Sequence, residues 1–430
     1  MAAEHIAYPV RVADLRRDAD ADGLRSNEGT YAHGGVVPAN HAEAFAPWPH
    51  HEPDELEAAT RVLASGRTNY WTGQEARAFE REYAQHLARR HAIALTNGTQ
   101  ALELALVAFG IDPGDEVITT ARTFIASASA VVMRGARPVI ADVDRDSGNL
   151  TRGTVEPLIT ARTRAIIAVH LGGWPVEMVP LVELSRERGI ILIEDCAQAH
   201  GATIDSRPVG AFGEAAAFSF CQDKILTTGG EGGLLALDDE AAWRRAWAYK
   251  DHGKSYEAVY ERDHAPGFRW LHEGFGTNWR MLEVQAAIGR LQLAKLPAWS
   301  DRRRAHARSL EAALRELPAL RVPTVPPHLE HAYYRAYVYV RPEALAADWD
   351  RQRIVDEIVA AGVPCFSGSC SEIYLEGAFR DAGLGPPTRL PVARELGDTS
   401  MAFLVHPTLS DAAIERTITV ATKVVERATR

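Results

Sequence analysis

Between residues 92 and 237, short apolar runs alternate with stretches of helical period, and this alternation constrains the fold more than any other feature. Strands are expected at 92–95, 116–119, 138–141, 164–169, 190–193, 215–220 and 233–237. Several intervening helical stretches end on a glycine (Gly110, Gly135, Gly189), the residue that takes a left-handed backbone at a helix C-terminus without strain. A helix between two strands returns the chain to the same end of the sheet, so the strands run parallel and both faces are covered. The unbroken apolar run Ile190–Ile193 suits a strand buried on both sides. The expected class is therefore α/β, with a mostly parallel sheet between helices.

The flanks read differently. Residues 1–45 are polar and weakly periodic, and are taken as an N-terminal extension. Helices are expected from Pro53 to about Gly66 and from Glu75 to Arg90. A break is expected after Leu293, because Pro297 follows, with a new helix at 301–317 and then a proline-rich stretch. The alternating segment 334–340 reads as a half-buried strand and 351–361 as a helix. The division is thus an extension (1–45), a large domain (46–295) and a smaller C-terminal α+β domain (296–430).

A formal charge of −10 argues against nucleic acid or an acidic membrane surface as the main partner. No run approaches the roughly 20 apolar residues that span a bilayer. The first 25 residues carry no apolar signal core, so a cytoplasmic protein is expected. Four cysteines make no disulfide framework, and the spacing of Cys365 and Cys370 does not suit zinc; reduced thiols and no metal are expected. Only five lysines occur among 47 basic residues, which leaves few candidates for amine chemistry.

Lys224 is the best placed of the five. It follows the apolar run ending Phe218-Ser219-Phe220 and precedes Thr227-Thr228-Gly229-Gly230-Glu231-Gly232-Gly233. Burial there would lower its pKa and free the amine to attack a carbonyl, although a lone lysine on a turn is as often simply exposed. Lys250 and Lys254 flank a polar His-Gly turn, Lys295 ends a helix, and Lys423 lies in the last helix. Asp195, at the end of the 190–193 run, could hold a pyridinium nitrogen protonated, or could be an ordinary cap. Thr96-Asn97-Gly98-Thr99 precedes a helix whose first N–H groups could hold a phosphate, or could be a plain turn and cap. Phe124 could stack on a cofactor ring or pack in the core.

The order of these segments resembles the DegT/DnrJ/EryC1/StrS sugar aminotransferases, most closely from about residue 71 to 281. The resemblance is carried by Tyr70-Trp71-Thr72-Gly73, Thr96-Asn97-Gly98-Thr99, Arg122-Thr123-Phe124-Ile125-Ala126, Glu194-Asp195-Cys196-Ala197-Gln198-Ala199-His200-Gly201, Phe218-Ser219-Phe220, Lys224, Gly230-Glu231-Gly232-Gly233, Asp251-His252-Gly253 and Gly276-Thr277-Asn278-Trp279-Arg280-Met281. It implies the fold-type I architecture of pyridoxal 5′-phosphate (PLP) enzymes, with a seven-stranded, mostly parallel mixed sheet. It implies Lys224 as the Schiff-base lysine and proton carrier, Asp195 on the pyridine nitrogen, Gln198 by the ring hydroxyl and Phe124 over one ring face. Gly98, Thr99 and Ser219 would hold the phosphate, joined by Asn278 of a neighbouring subunit, so a homodimer is expected. His170, Glu231 and His331 are candidate substrate contacts. The implied reaction moves an amino group from L-glutamate or L-glutamine to a nucleotide-linked keto-sugar, in deoxyaminosugar, antibiotic or surface-polysaccharide biosynthesis.

One segment departs from the pattern of nucleotide-sugar members. Pro364-Cys365-Phe366-Ser367-Gly368-Ser369-Cys370 stands where they carry a Tyr/Pro/Leu/His pattern, which leaves the acceptor open between a keto-sugar, a carbocyclic ketone of the scyllo-inosose type and an aminohydroxybenzoate precursor. Dehydratases of the family tend to carry His where this chain has Lys224, so dehydration is disfavoured. A PLP-binding regulator without turnover is disfavoured by the intact Lys224, Asp195 and Gln198.

Overall fold

The computed structural model describes residues 45–267 and 269–430. The N-terminal extension expected over 1–45 lies outside these residues, apart from Phe45.

The main sheet has seven strands: β1 (His91–Leu95), β2 (Glu116–Thr120), β3 (Arg137–Ala141), β4 (Thr163–Val169), β5 (Ile191–Asp195), β8 (Ala215–Ser219) and β9 (Gly233–Leu237). Two short strands, β6 (Thr203–Ile204) and β7 (Arg207–Pro208), form a separate ribbon before β8. The order across the main sheet is β1-β9-β8-β5-β4-β2-β3. Neighbours from β8 through β3 pair in parallel, and β9 alone is reversed, antiparallel to both β8 and β1. This is the fold-type I arrangement, a mostly parallel mixed sheet between helices.

Side chains alternate between two apolar layers, one on each face, because successive Cβ atoms of a strand point to opposite sides. Ala92, Ala94, Leu192, Leu234 and Ala236 enter one layer, while Ile93, Leu95, Ile193, Leu235 and Leu237 enter the other. Helices α1 (Pro53–Ser65) and α2 (Glu75–His86) come first in the chain; α3 (Gly98–Ala108), α4 (Ala126–Met133), α5 (Met178–Arg188) and α6 (Glu240–Lys250) alternate with the strands.

Two expectations need correction. The apolar pattern stops at Ile193, yet β5 continues through Asp195. Glu194 stays in the strand because its buried carboxylate accepts N–H bonds from Gly210 (2.7 Å), Phe212 (2.7 Å) and Gly213 (2.8 Å). The expected break after Leu293 does not occur either: α7 runs unbroken over Glu283–Arg315, through Pro297. A proline inside a helix costs one hydrogen bond and some crowding. Burial along the helix offsets that cost, with Ala286 and Leu296 packed in the core of the main sheet and Ala307, Leu310 and Leu314 in the C-terminal core. The boundary expected at 295/296 therefore falls inside one rod that joins both cores, and Lys295 lies within that helix, not at its end.

The C-terminal part holds a four-stranded antiparallel sheet of order β10-β12-β14-β13, formed by Leu320–Arg321, Ala336–Val340, Ser400–Phe403 and Cys365–Phe366 respectively. Strand β11 (Leu329–Glu330) instead returns to pair with β6. Helices α8 (Arg351–Ala360), α9 (Pro391–Thr399) and α10 (Asp411–Ala428) complete this part. Among the described residues no helix is long and apolar enough to cross a membrane.

Candidate active site

The C-terminal ends of the parallel strands gather the chemistry on one edge, where open α/β sheets bind their ligands. Asp195 ends β5 and Ser219 ends β8. After β1, Asn97 caps α3 by accepting the Gln100 N–H at 2.9 Å, so α3 starts at Gly98. Gly98 is pressed against the end of β8: a Cβ there would stand 2.5 Å from Ser219 Cβ and 3.0 Å from Ser219 Cα. Only glycine lets the two backbones approach so closely. The first-turn N–H groups of Gly98 and Thr99 have no acceptor within their own helix, and a Cβ on Gly98 would stand 3.0 Å from Ser219 Oγ. Donors so placed can hold an anion such as a phosphate.

Asp195 is almost wholly buried. Ser127 Oγ donates to its Oδ2 at 2.7 Å and the Ala197 N–H to its Oδ1 at 3.2 Å, while Thr123 and Ser127 hydroxyls bond each other at 2.8 Å. Burial pushes the carboxyl of Asp195 up, against the opposing pull of Ser127, Ala197 and Lys224. A carboxylate short of water in this way gains most from a cationic N–H partner.

Lys224 stands on the wall of a cavity of about 390 Å³ that also exposes Thr123, Phe124 and Gln198. Gln198 Oε1 accepts the Gly172 N–H at 2.7 Å, which fixes the amide's orientation. Phe124 is 59% exposed at the cavity surface. Burial was expected to lower the pKa of Lys224; the structure reverses that direction. Burial does oppose the ammonium, but Tyr334, Asp223, Cys221 and Asp195 prevail and hold it above the usual lysine range. The Tyr334 phenol is itself pushed up by burial, so at neutral pH the carboxylates act, chiefly Asp223 with Oδ1 3.8 Å from Lys224 Nζ. At neutral pH Lys224 therefore holds its proton at Nζ in the cofactor-free cavity.

The opposite wall comes from the C-terminal part: Tyr334, Arg335, Tyr337, Phe366, the 368–370 loop and Glu376. Tyr334 Oη donates to Asp223 Oδ2, tying this wall to the loop that carries Lys224. Gly368, at φ +87°, keeps the loop against Tyr337, since a Cβ there would lie 2.3 Å from Tyr337 Cε1. The segment that departs from the family pattern therefore lines the cavity. Sequence reasoning missed Tyr334, Arg335 and Asp223. Tyr334 and Arg335 adjoin the alternating strand, which its period marks as packing, and no local signal sets them apart.

Of the expected contacts, Phe124, Gln198 and Lys224 line this cavity; Gly98, Thr99, Asp195 and Ser219 stand at the strand edge and not in its wall, and Asn278, Glu231, His170 and His331 do not line it in their own chain either. Asn278 pairs with Asp251 in a bridge elsewhere on the chain. Glu231 stands on the glycine-rich loop, its carboxylate 3.8 Å from Cys221 Sγ. His170 is wholly buried, its Nδ1 accepting the Val176 N–H at 2.9 Å and its Nε2 meeting Glu194 at 3.2 Å; it has no nitrogen left for a substrate. His331 lines a different, small cavity with Trp174, accepts the Tyr333 N–H at 2.7 Å, and is pushed down to about 3 by burial. His170 has both ring nitrogens engaged, by a backbone N–H and by Glu194, whereas His331 has its Nδ1 engaged by a backbone N–H and faces a different cavity.

His170, Glu194 and Cys196 bring ligand-type atoms within 4.8 Å of one another. Glu194 is saturated by backbone donors, His170 Nε2 carries the proton, and burial drives the Cys196 thiol well up, so the cluster is hydrogen-bonded core. Lys250, expected beside a polar turn, is instead buried, with Nζ 3.6 Å from the Tyr70 ring centroid, and burial takes it down to about 8. It lines no part of the Lys224 cavity.

Residues 49–422 match the model of the DegT/DnrJ/EryC1/StrS aminotransferase family. The chain belongs to that family. As a DegT/DnrJ/EryC1/StrS aminotransferase it is a PLP-dependent enzyme. It is 52% identical to an aminotransferase of Psychrobacter cryohalolentis of known structure, with a TM-score of 0.88 over 89% of this chain and 99% of that one. The dTDP-3-amino-3,4,6-trideoxy-alpha-D-glucose transaminase of Streptomyces venezuelae is 35% identical over 87% of this chain and 94% of its own length. The L-glutamine:2-deoxy-scyllo-inosose aminotransferase of Streptomyces kanamyceticus is 34% identical over 88% and 93%. The residues of this family member suit PLP: a lysine amine in a cavity, a buried carboxylate short of a cation, and a glycine-dependent cradle of N–H donors.

Proposed function

We propose that this aminotransferase carries an amino group from L-glutamate or L-glutamine to a nucleotide-linked keto-sugar. The observation that carries the reading is the pairing of Lys224, in an open cavity, with the buried Asp195 beneath the strand edge. Bound PLP supplies an electron sink for the carbon that loses or gains a proton. Within each half-reaction Lys224 Nζ would take that proton from one carbon and return it to the other, with Asp223 beside the ammonium. Asp195 keeps a pyridine N–H protonated and is held by Ser127 and Ala197. Gly98, Thr99 and Ser219 bind the phosphate, Phe124 covers one ring face, and Gln198 orients the ring hydroxyl. Asn278 pairs with Asp251 in a bridge, and in a homodimer it would reach the partner's phosphate.

A carbocyclic ketone is a second reading. It is favoured by the departure at residues 364–370, which form part of the cavity wall, and by the inosose aminotransferase among the relatives. The test is the visible spectrum of the PLP-loaded protein before and after L-glutamate or L-glutamine. Bleaching of the band near roughly 400 nm identifies the donor. Recovery of the band on adding a dTDP-linked keto-sugar, and not 2-deoxy-scyllo-inosose, supports the sugar reading; the reverse selects the carbocycle. A band that no donor changes removes both.

A further inference from the structure

We infer that Arg335 is a carboxylate receptor in the Lys224 cavity, so that a substrate must present a carboxylate to the C-terminal wall. The inference rests on the aminotransfer reading and adds a recognition element to it. Arg335 precedes β12 and lines the cavity together with Lys224. Its guanidinium carbon lies 4.8 Å from the Tyr334 ring centroid and 5.7 Å from that of Phe366. Lys224 Nζ lies 4.9 Å from the same Tyr334 ring, so one aromatic side chain adjoins both cations.

Several half-buried arginines meet carboxylates, while among the described residues the wholly buried Arg122 and Arg303 meet none. Arg89 meets Glu194 and Asp238, Arg280 meets Asp251, and Arg290 meets Glu75 and Glu82. Among the described residues no ion pair or hydrogen bond engages the Arg335 side chain, although it is half-buried. The one carboxylate sharing its cavity, Glu376, meets Cys370 Sγ at 3.9 Å. The uncompensated charge is felt nearby: it adds to the burial that takes Arg303 down to about 9. A guanidinium held beside aromatic rings keeps its planar N–H edge available, and that edge matches a carboxylate in a two-point contact. Keeping such a cation unpaired on the wall of a reaction cavity costs desolvation, which an anionic ligand offsets when it binds.

A carboxylate can come from two sources, the α-carboxylate of the amino donor or an acid group on the acceptor. The donor is the favoured source, because its α-carboxylate sits on the very carbon whose amine must reach the cofactor at Lys224.

The experiment uses PLP-loaded wild type, Arg335→Gln and Arg335→Lys, with cofactor content and melting temperature checked in each. In single-turnover bleaching by L-glutamate, Arg335→Gln is expected to raise the half-saturating concentration on the order of 10- to 100-fold, the cost of one charge-assisted contact. Arg335→Lys should recover part of that loss, and 4-aminobutyrate, which lacks the α-carboxylate, should respond equally in wild type and Arg335→Gln. A second arm compares binding of UDP-glucuronate and UDP-glucose to the pyridoxamine-phosphate form. If donor saturation is unchanged but a wild-type preference for UDP-glucuronate disappears in Arg335→Gln, the carboxylate belongs to the acceptor. If neither arm changes in Arg335→Gln, the receptor role is wrong. A wild type that binds PLP but responds to no amino donor would defeat the aminotransfer reading, and Arg335 is then decided by the sugar-acid arm alone.

Discussion

Replacing Gly98 with alanine probes the phosphate cradle while leaving every polar group in place. The new Cβ would stand 2.5 Å from Ser219 Cβ, 3.0 Å from Ser219 Cα and 3.0 Å from Ser219 Oγ. Carbon atoms in contact prefer about 3.5–4.0 Å, so α3 and the end of β8 must separate by roughly 1 Å. A backbone atom cannot rotate out of the way, and overpacking of this kind costs roughly 1–3 kcal/mol. Alanine in place of glycine in a helix returns at most about 1 kcal/mol, so the net loss of stability is small, about 0–2 kcal/mol. The larger effect falls on the ligand. Moving the Ser219 hydroxyl away from the first-turn N–H groups weakens one or two charge-assisted hydrogen bonds, each worth about 1.5–3 kcal/mol, so PLP affinity should drop at least tenfold. Fluorescence titration of PLP into the cofactor-free variant, beside its thermal melt, separates the two effects. A Gly98→Ala protein with wild-type PLP affinity would refute the cradle, and a large fall in melting temperature at unchanged affinity would reduce the close approach to packing.

Lys224→Ala should fold normally but yield no borohydride-reducible link to PLP; a retained link would move the Schiff base to another lysine. Asp195→Asn should abolish most turnover yet raise the melting temperature of the cofactor-free protein. Burial pushes the Asp195 carboxyl up, so its contribution to stability is present below the unfolded pKa and lost as pH rises, and at neutral pH the ionised group is a cost that Asn removes. A lower melting temperature would contradict that sign. Glu311 is pushed up to about 7 by burial, from an ordinary 4.5, so the chain should lose roughly 1–3 kcal/mol between those pH values. Glu311→Gln should flatten that part of the pH–stability curve measured by urea unfolding, and an unchanged slope would exclude Glu311 as its source.

How much was legible in the sequence follows from what each feature depends on. The main-sheet strands and the glycine-ended helices between them come from period and from residues that stop a helix, which act within a few neighbours along the chain. The same local order set Gly98 at a helix start, Asp195 at a strand end and Lys224 after an apolar run, each at the strand edge where a site can form. Helix α7 shows the limit of local reasoning, because Pro297 is a break signal that burial against two cores outweighs. Lys250 shows it again: a polar His-Gly turn follows it in sequence, but Tyr70, far along the chain, packs on its ammonium.

Tertiary structure alone decided which groups share the cavity. Tyr334 and Arg335 are more than a hundred residues from Lys224, and their strand's period is the same whether or not a cavity lies beside it. Their approach depends on α7 spanning both cores and on β11 pairing back to β6. The surroundings of His170 and His331 depend likewise on tertiary contacts, a backbone N–H folding onto one ring nitrogen of each. Elements and their order are written in local pattern; the charge, hydrogen bonding and exposure of each side chain depend on contacts that exist only once the chain has closed on itself.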